Sequence, residues 1–189
     1  MLNVLLLACI FFLEVIFIIR FSKLSKEWLY GFIIVNLLLV SVLGGKLISV
    51  FGFTTNTGNV FYAAVFMATY VLVECFSTND AYQSVWIGSI SVFLFMLMAQ
   101  LVKSMVAIPE ARVIDQSIYN LVQTNLRVSV ASIFSFITAQ SINIWLYQLL
   151  RKKTKTKHFW LRVLVSNGAA QVVDSLLFFF HCVRRSCAF

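Results

Sequence analysis

Charge is scarce in this chain. Asp, Glu, Lys and Arg make up only 12% of its 189 residues, against 61% hydrophobic residues that include 19 Phe. One core cannot hide so much apolar side chain from water, so a soluble domain of this size is excluded and lipid must solvate most of the surface. Acids are rarer than bases, 7 against 15, for a net charge of +8. The bases cluster between apolar runs and form no patch with interleaved aromatics, so they read as membrane-topology determinants and exclude a nucleic-acid partner. Cys9, Cys75, Cys182 and Cys187 have neither CxxC nor Cys/His metal spacing. They suggest no metal site and no disulfide framework, and read as small apolar residues in or near membrane helices. The two histidines, His158 and His181, stand near segment ends, and HExxH, GxSxG and a glycine-rich phosphate loop are all missing. Zinc hydrolysis, serine hydrolysis and ATP hydrolysis lose their usual machinery, so the expectation is a non-enzyme without a cofactor.

What is present is a series of long apolar runs: about 2–19, 29–51, 58–77, 84–108, 127–150 and 159–181. About 20 residues of helix cross a bilayer core of roughly 30 Å. Backbone groups in lipid must be satisfied within the segment, and alternating strands of about ten residues, the barrel signature, are not seen. The expected fold is all-α, a polytopic integral membrane protein with about six transmembrane helices, forming a single transmembrane domain over 1–189. The first run has no basic residues before it, carries Arg20 and Lys23 after it, and shows no small-residue cleavage site. It therefore reads as a retained helix and not as a signal peptide.

Lys and Arg near helix ends resist translocation. Arg20, Lys23 and Lys26 follow the first run, and Arg151, Lys152, Lys153, Lys155 and Lys157 follow the fifth, which puts both connections in the cytoplasm and the N-terminus outside. "GFTTNTGN" carries no base, as an outer loop should. The longer connection with Lys103, Arg112 and Arg127 runs against this orientation without reversing it. Within it Val113, Ile114, Ile118, Leu121 and Val122 recur at helical spacing, the pattern of an amphipathic segment lying in the membrane interface.

The informative positions are polar residues inside apolar runs, because an Asp or Lys at mid-membrane costs about 2.5–3.5 kcal/mol and usually faces a partner or a watery cavity. They are Glu14, Asn36, Lys46, Glu74, Arg127, Gln140, Asn143, Arg162, Asn167, Gln171 and Asp174. Asn167, Gln171 and Asp174 fall at i, i+4 and i+7, one stripe of a helix. Asp174 lies about 18 Å along the helix from Arg162, which places it near the midplane if Arg162 marks the interface. Gln140 and Asn143 are i, i+3 neighbours on the preceding helix, with Ser129 and Ser132 toward the same side. Facing stripes would make a polar cleft, although such residues also serve as interhelical hydrogen-bonding glue. Glu74 reads as a site residue or a snorkelling interfacial acid, Glu14 as a packing residue, Lys46 as snorkelling or paired, and Arg127 and Arg162 as site residues or helix-end anchors. Trp28, Trp86 and Trp160 read as belt residues.

"LRVSVASIFSFITAQSINIWLYQLL", a basic loop and "FWLRVLVSNGAAQVVDSLLFFF" together resemble the vitamin uptake transporter family, also named queuosine precursor transporters. The resemblance rests on Arg127, Ala131, Ser132, Ala139, Gln140, Arg162, Ser166, Gln171, Asp174 and Ser175, and it covers about residues 30–180. Upstream, "LISVFGFTTNTGNVFYAAVFMATYVLVECF" is similar to the family's strand-free inner segment, with Asn36, Lys46 and Glu74 on polar family positions. The resemblance implies an importer of the 7-cyano and 7-aminomethyl 7-deazaguanine bases, a purine-like small-molecule substrate, across a cell membrane, the bacterial inner membrane. It implies a pocket in which Asp174 or Glu74 takes the donor edge of the base, completed by Gln140, Asn143, Asn167 and Gln171. Tyr70 and Asn143 stand where the family often carries acids, which leaves another heterocycle open. A substrate-binding component served by a separate ATPase and a non-transporting scaffold are the alternatives.

Residues 181–189 form an atypical tail. The family continues with something like Ile-Ala-Phe-Gly-Gly and adds a further helix. Those codons, written C ATT GCG TTC GGC GG, read one base earlier as CAT TGC GTT CGG CGG, the His-Cys-Val-Arg-Arg of residues 181–185. A shifted reading frame is therefore expected of this ending, and an inactive truncated product joins the alternatives.

Overall fold

A computed structural model describes the backbone of residues 2–121, 126–154 and 158–186, with side chains described over 2–108, 110–121, 130–154 and 158–177. Seven α-helices, one hairpin and a single 3-10 turn (Pro109–Ala111) make up the described chain: α1 (Leu2–Ser22), α2 (Lys26–Leu43), β1 (Leu47–Val50), β2 (Phe53–Asn56), α3 (Gly58–Cys75), α4 (Thr78–Lys103), α5 (Arg112–Leu121), α6 (Leu126–Thr154) and α7 (Phe159–Ser186). Among the described residues five helices are long and apolar enough to cross a membrane: α1 to α4, and α6 over Val130–Thr154. The sixth run forms α7, 28 residues long, which packs on α6 more extensively than any other pair of elements packs together. The fold is all-α and polytopic, as the hydropathy requires.

Two expectations are corrected. The second run does not stay helical to residue 51: α2 ends at Leu43, and β1 pairs antiparallel with β2 from Leu47↔Asn56 to Val50↔Phe53. Gly44 and Gly45 end the helix, and the β-branched Ile48, Val50, Thr54 and Thr55 suit the strands. Phe51 (φ 51°) and Gly52 (φ 84°) form the two-residue turn with both φ values positive that twisted hairpins favour. The segment likened to a strand-free one therefore contains strands, and Lys46, read as a membrane lysine, stands exposed in a loop.

α3 sits at the centre: 56% of its membrane-length window is buried, against 6% for α1. Its inward face includes Ala64, Val65, Ala68, Leu72 and Val73, which pack among Leu29, Ile33, Ala81, Val85, Phe136 and Ile144. The interface segment forms α5, no residue of which is buried; Val113 and Ile114 are among its exposed apolar side chains, as suits a helix lying on a bilayer surface. Trp28, Trp86 and Trp160 all point outward.

Two ends can be told apart. At one, Lys26 Nζ pairs with Asp80 Oδ1 at 2.7 Å, joining the starts of α2 and α4, and Arg151 of α6 donates to the Val73 carbonyl of α3 at 2.7 Å. This basic end also holds Arg20, Lys23, Lys152 and Lys153. At the other, the hairpin end, Asn3 donates to the Ser49 carbonyl. There α2 and α3 approach so closely that a Cβ on Gly58 would stand 2.9 Å from the Gly44 Cα. Gly58→Ala is expected to destabilise the protein by about 1–3 kcal/mol, since backbone must move to admit the methyl group. Gly168 of α7 is the control, because a Cβ there would meet no atom within 4 Å. Gly168→Ala is expected to be neutral or to gain up to about 1 kcal/mol from helix propensity, and thermal unfolding in detergent separates the two.

Candidate functional site

Polar side chains on α3, α6 and α7 meet in a fixed register. Going down α3, Tyr62 donates to Asp174 Oδ2 at 3.2 Å, Tyr70 lies 3.2 Å from Ser166 Oγ, and Glu74 Oε1 stands 3.1 Å from Arg162 Nη1. Each step down α3 is matched by an equal step up α7, so the two helices run antiparallel with one stripe facing one stripe. α6 runs parallel to α3: Tyr70 donates to Asn143 Oδ1 at 2.8 Å and Tyr147 to Glu74 Oε1 at 2.6 Å, both pairs 73 residues apart in sequence. Asn143 in turn donates to Gln140 Oε1 at 3.2 Å.

This arrangement divides the interior into a cavity at each end and a plug between them. At the hairpin end a cavity of about 560 Å³ is lined by Asn56, Asn59, Tyr62, Ser89, Ser132, Phe136, Asp174 and Ser175, with Gly44 and Gly58 at its side. The Tyr62 and Phe136 rings lie 6.0 Å apart along its wall. Among the described residues no Lys or Arg pairs with Asp174. At the basic end a second cavity, about 670 Å³, is lined by Glu74, Thr78, Gln148, Arg151, Lys152, Phe159 and Arg162. Between them lie Tyr70, Gln140, Asn143, Tyr147, Ser166, Ala139 and Ala170, every one buried. The Tyr70 and Tyr147 rings lie 4.8 Å apart, tilted by 30°, and close the path with aromatic bulk.

Among the residues singled out in sequence, the structure brings together Glu74, Gln140, Asn143, Arg162 and Asp174. It does not bring all the others to them. The inward stripe of α7 is Arg162, Ser166, Ala170 and Asp174; Asn167 is half-buried at its edge with Oδ1 unpartnered, and Gln171 faces outward. Asn36 is buried between α1 and α2, where it donates to Glu14 Oε2 at 3.2 Å and to the Phe32 carbonyl. That pair lies in a separate groove of about 590 Å³ between the two helices, walled by Phe17, Phe21, Trp28 and Phe32. The Arg127 side chain, and those of residues 181–189, lie outside the described residues. Sequence reasoning missed Tyr62, Tyr147 and Arg151 as partners, and knew Tyr70 only as a departure from an acidic family position. The signal for the tyrosines was their spacing: Tyr62, Tyr70 and Glu74 share one helical face.

The family description "Putative vitamin uptake transporter" matches residues 56–183. A protein named "Probable queuosine precursor transporter" from Bacillus subtilis (strain 168) is 29% identical over 135 residues, which is 70% of this chain and 58% of that protein. The chain thus spans under two thirds of the length of that curated relative. No solved structure matches this chain. The matched residues run from the hairpin's last residue through α3 to α7, and so contain the plug, Asp174 and both cavity-lining stripes. The chain belongs to the family described as "Putative vitamin uptake transporter", and is a multi-pass membrane protein.

Proposed function

We propose that this protein imports 7-deazaguanine queuosine precursors, the 7-cyano and 7-aminomethyl bases, into the cytoplasm, and that the hairpin-end cavity is where the base binds. In this reading the basic end is cytoplasmic and the N-terminus outside, in the inner membrane of a bacterium. The loop charges support it, since Arg20, Lys23, Lys26 and Arg151 to Lys153 all stand at one end.

The observation that carries the proposal is Asp174, a carboxylate on the wall of a cavity of ligand size whose other walls are aromatic and amide side chains. A guanine-like edge presents adjacent N1–H and N2–H donors, which a carboxylate accepts with both oxygens. Tyr62 already donates to Oδ2 and so fixes the carboxylate's orientation. Asn56 and Asn59 offer donors and acceptors to the far side of the base, and Phe136 offers a stacking face. One turn further in, Gln140 is buried with Nε2 unpartnered, a donor for a carbonyl oxygen as the base moves inward. Glu74, the other acid considered for the donor edge, is already engaged by Tyr147, Arg151 and Arg162.

The named relative is described as a probable queuosine precursor transporter, and the family match over residues 56–183 includes Asn56, Asn59, Tyr62, Phe136 and Asp174 of this cavity. Transport is then an exchange of open ends, with the Tyr70–Tyr147 plug and the Glu74 cluster closed in this conformation. The test is uptake of labelled 7-deazaguanine bases in a strain unable to make them, scored as queuosine accumulating in its tRNA. Expression of this chain alone should restore accumulation; a strain that accumulates only when a separate ATPase is supplied would favour a binding component. Tyr62→Phe, which removes only the orienting hydroxyl, is expected to lower uptake about tenfold, the worth of one hydrogen bond to a charged group of about 1.5 kcal/mol. Unchanged uptake in that variant would detach Tyr62 from the site.

A further inference from the structure

The basic-end cavity is not used in binding the base, and its chemistry is of another kind. Arg162 is 4% exposed, yet Nε has no acceptor, and Nη1, 3.1 Å from Glu74 Oε1, lacks the alignment of a hydrogen bond. A guanidinium carries five donors in a fixed fork, and leaving buried donors unmade is costly. The nearby carboxylate cannot serve them all: Glu74 also accepts from Tyr147 and pairs with Arg151 at 3.3 Å. The Tyr147 and Phe159 rings flank the guanidinium at 5.3 and 5.6 Å from its central carbon, and Phe159 and Arg162 both line the cavity.

The rest of the lining adds positive charge. Arg151 and Lys152 face the same space, so three cations stand against one carboxylate, with Thr78 and Gln148 as neutral hydrogen-bonding groups. Phe159, the first residue of α7, lines it as well, which brings the positive end of a 28-residue helix to the site.

We propose that this vestibule is a binding site for a phosphate group. Donors converge on it from the end of α6 and from Arg162 in the first turn of α7, beside the positive end of that helix, and a tetrahedral phosphate offers oxygens in more directions than a planar carboxylate. The chemistry fits the head group of an anionic phospholipid at the bilayer surface and a soluble phosphate equally. The inference does not depend on which base is carried, or on whether one is.

The experiment uses the full chain purified into nanodiscs of phosphatidylcholine. Sodium phosphate is titrated against sodium chloride of equal ionic strength, and in a second arm part of the phosphatidylcholine is replaced by phosphatidylglycerol; melting temperature is read in both. We expect a saturable rise of several degrees in at least one arm, and a loss of most of that rise in both Arg162→Lys, which keeps the charge but not the fork, and Lys152→Gln, an exposed position that should not disturb folding. A rise with phosphate alone identifies a soluble ligand, and a rise with phosphatidylglycerol alone a lipid. No rise in either arm, or a rise that Lys152→Gln leaves intact, overturns the proposal.

Discussion

Glu74→Ala is expected to lower the melting temperature by about 6–12 °C. The substitution removes the carboxylate that faces Arg162, a guanidinium only 4% exposed, takes the ion partner from Arg151, which keeps the Val73 carbonyl, and strands the Tyr147 hydroxyl. Breaking a buried pair from one side costs about 3–5 kcal/mol, because the remaining charge keeps its desolvation cost without its partner. Glu74 is 28% exposed, so the low end applies. About 3 kcal/mol corresponds to about 2–4 °C per kcal/mol in a chain of this length. Removing both charges should do less harm: Glu74→Leu with Arg162→Met leaves no buried uncompensated ion, since Arg151 is 39% exposed, and should recover at least half of the loss. A Glu74→Ala protein that melts within a degree or two of the parent would show that the ion cluster does not tie α3, α6 and α7 together at the basic end.

Asp174→Asn is expected to abolish nearly all uptake while leaving the protein folded. Among the described residues the carboxylate is held by a single hydrogen bond, from Tyr62, which an amide oxygen can also accept, so stability should change little. The ligand loses more. An amide presents one acceptor and one donor where the carboxylate presented two acceptors, so one ligand N–H meets an N–H. Losing one charge-assisted hydrogen bond at about 1.5 kcal/mol and leaving its buried donor unpaired at about 1.5 kcal/mol more amounts to about 3 kcal/mol, or roughly a hundredfold in binding. Uptake should fall by that factor, with melting temperature and membrane insertion preserved. If uptake and stability fell together, Asp174 would be a packing residue.

Much of this architecture is written in hydropathy, and the misreadings have physical causes. All six apolar runs became helices, because lipid offers backbone groups no other partner. The amphipathic pattern around Val113 to Leu121 became α5 with its apolar face uncovered. Hydropathy failed at the end of the second run, where Leu47 to Val50 is as apolar as the helix before it. There the paired glycines and the Phe51–Gly52 turn decide the backbone, and apolar content does not distinguish a strand from a helix over four residues.

The site was legible at its charged and amide members and obscure between them. Gln140 and Asn143, neighbours by spacing, are bonded to each other. On α7 the polar spacing pointed to Asn167, Gln171 and Asp174 as one stripe, whereas the inward face carries Ala170 in the middle and Gln171 outside. Close packing of α7 on α6 needs a small side chain there, and a sequence rule that ranks positions by polarity passes over alanine. Asn36 was drawn in by the same rule, and its partner proved to be Glu14 on α1. Tyrosine hides for the opposite reason: its ring counts as apolar in a membrane run, so the hydroxyls of Tyr62, Tyr70 and Tyr147, which join α3 to α6 and α7, leave no polar signal.

The central claim is that Asp174 reads the donor edge of the base in the hairpin-end cavity. Equilibrium binding of labelled 7-cyano-7-deazaguanine to purified protein, competed by the same ring system lacking the exocyclic amino group, measures that contact alone. The native protein should bind the complete base at least tenfold more tightly than the amino-less analogue, and Asp174→Asn should bind both weakly and alike. Equal binding of the two ligands by the native protein, or a preference that survives in Asp174→Asn, would contradict it.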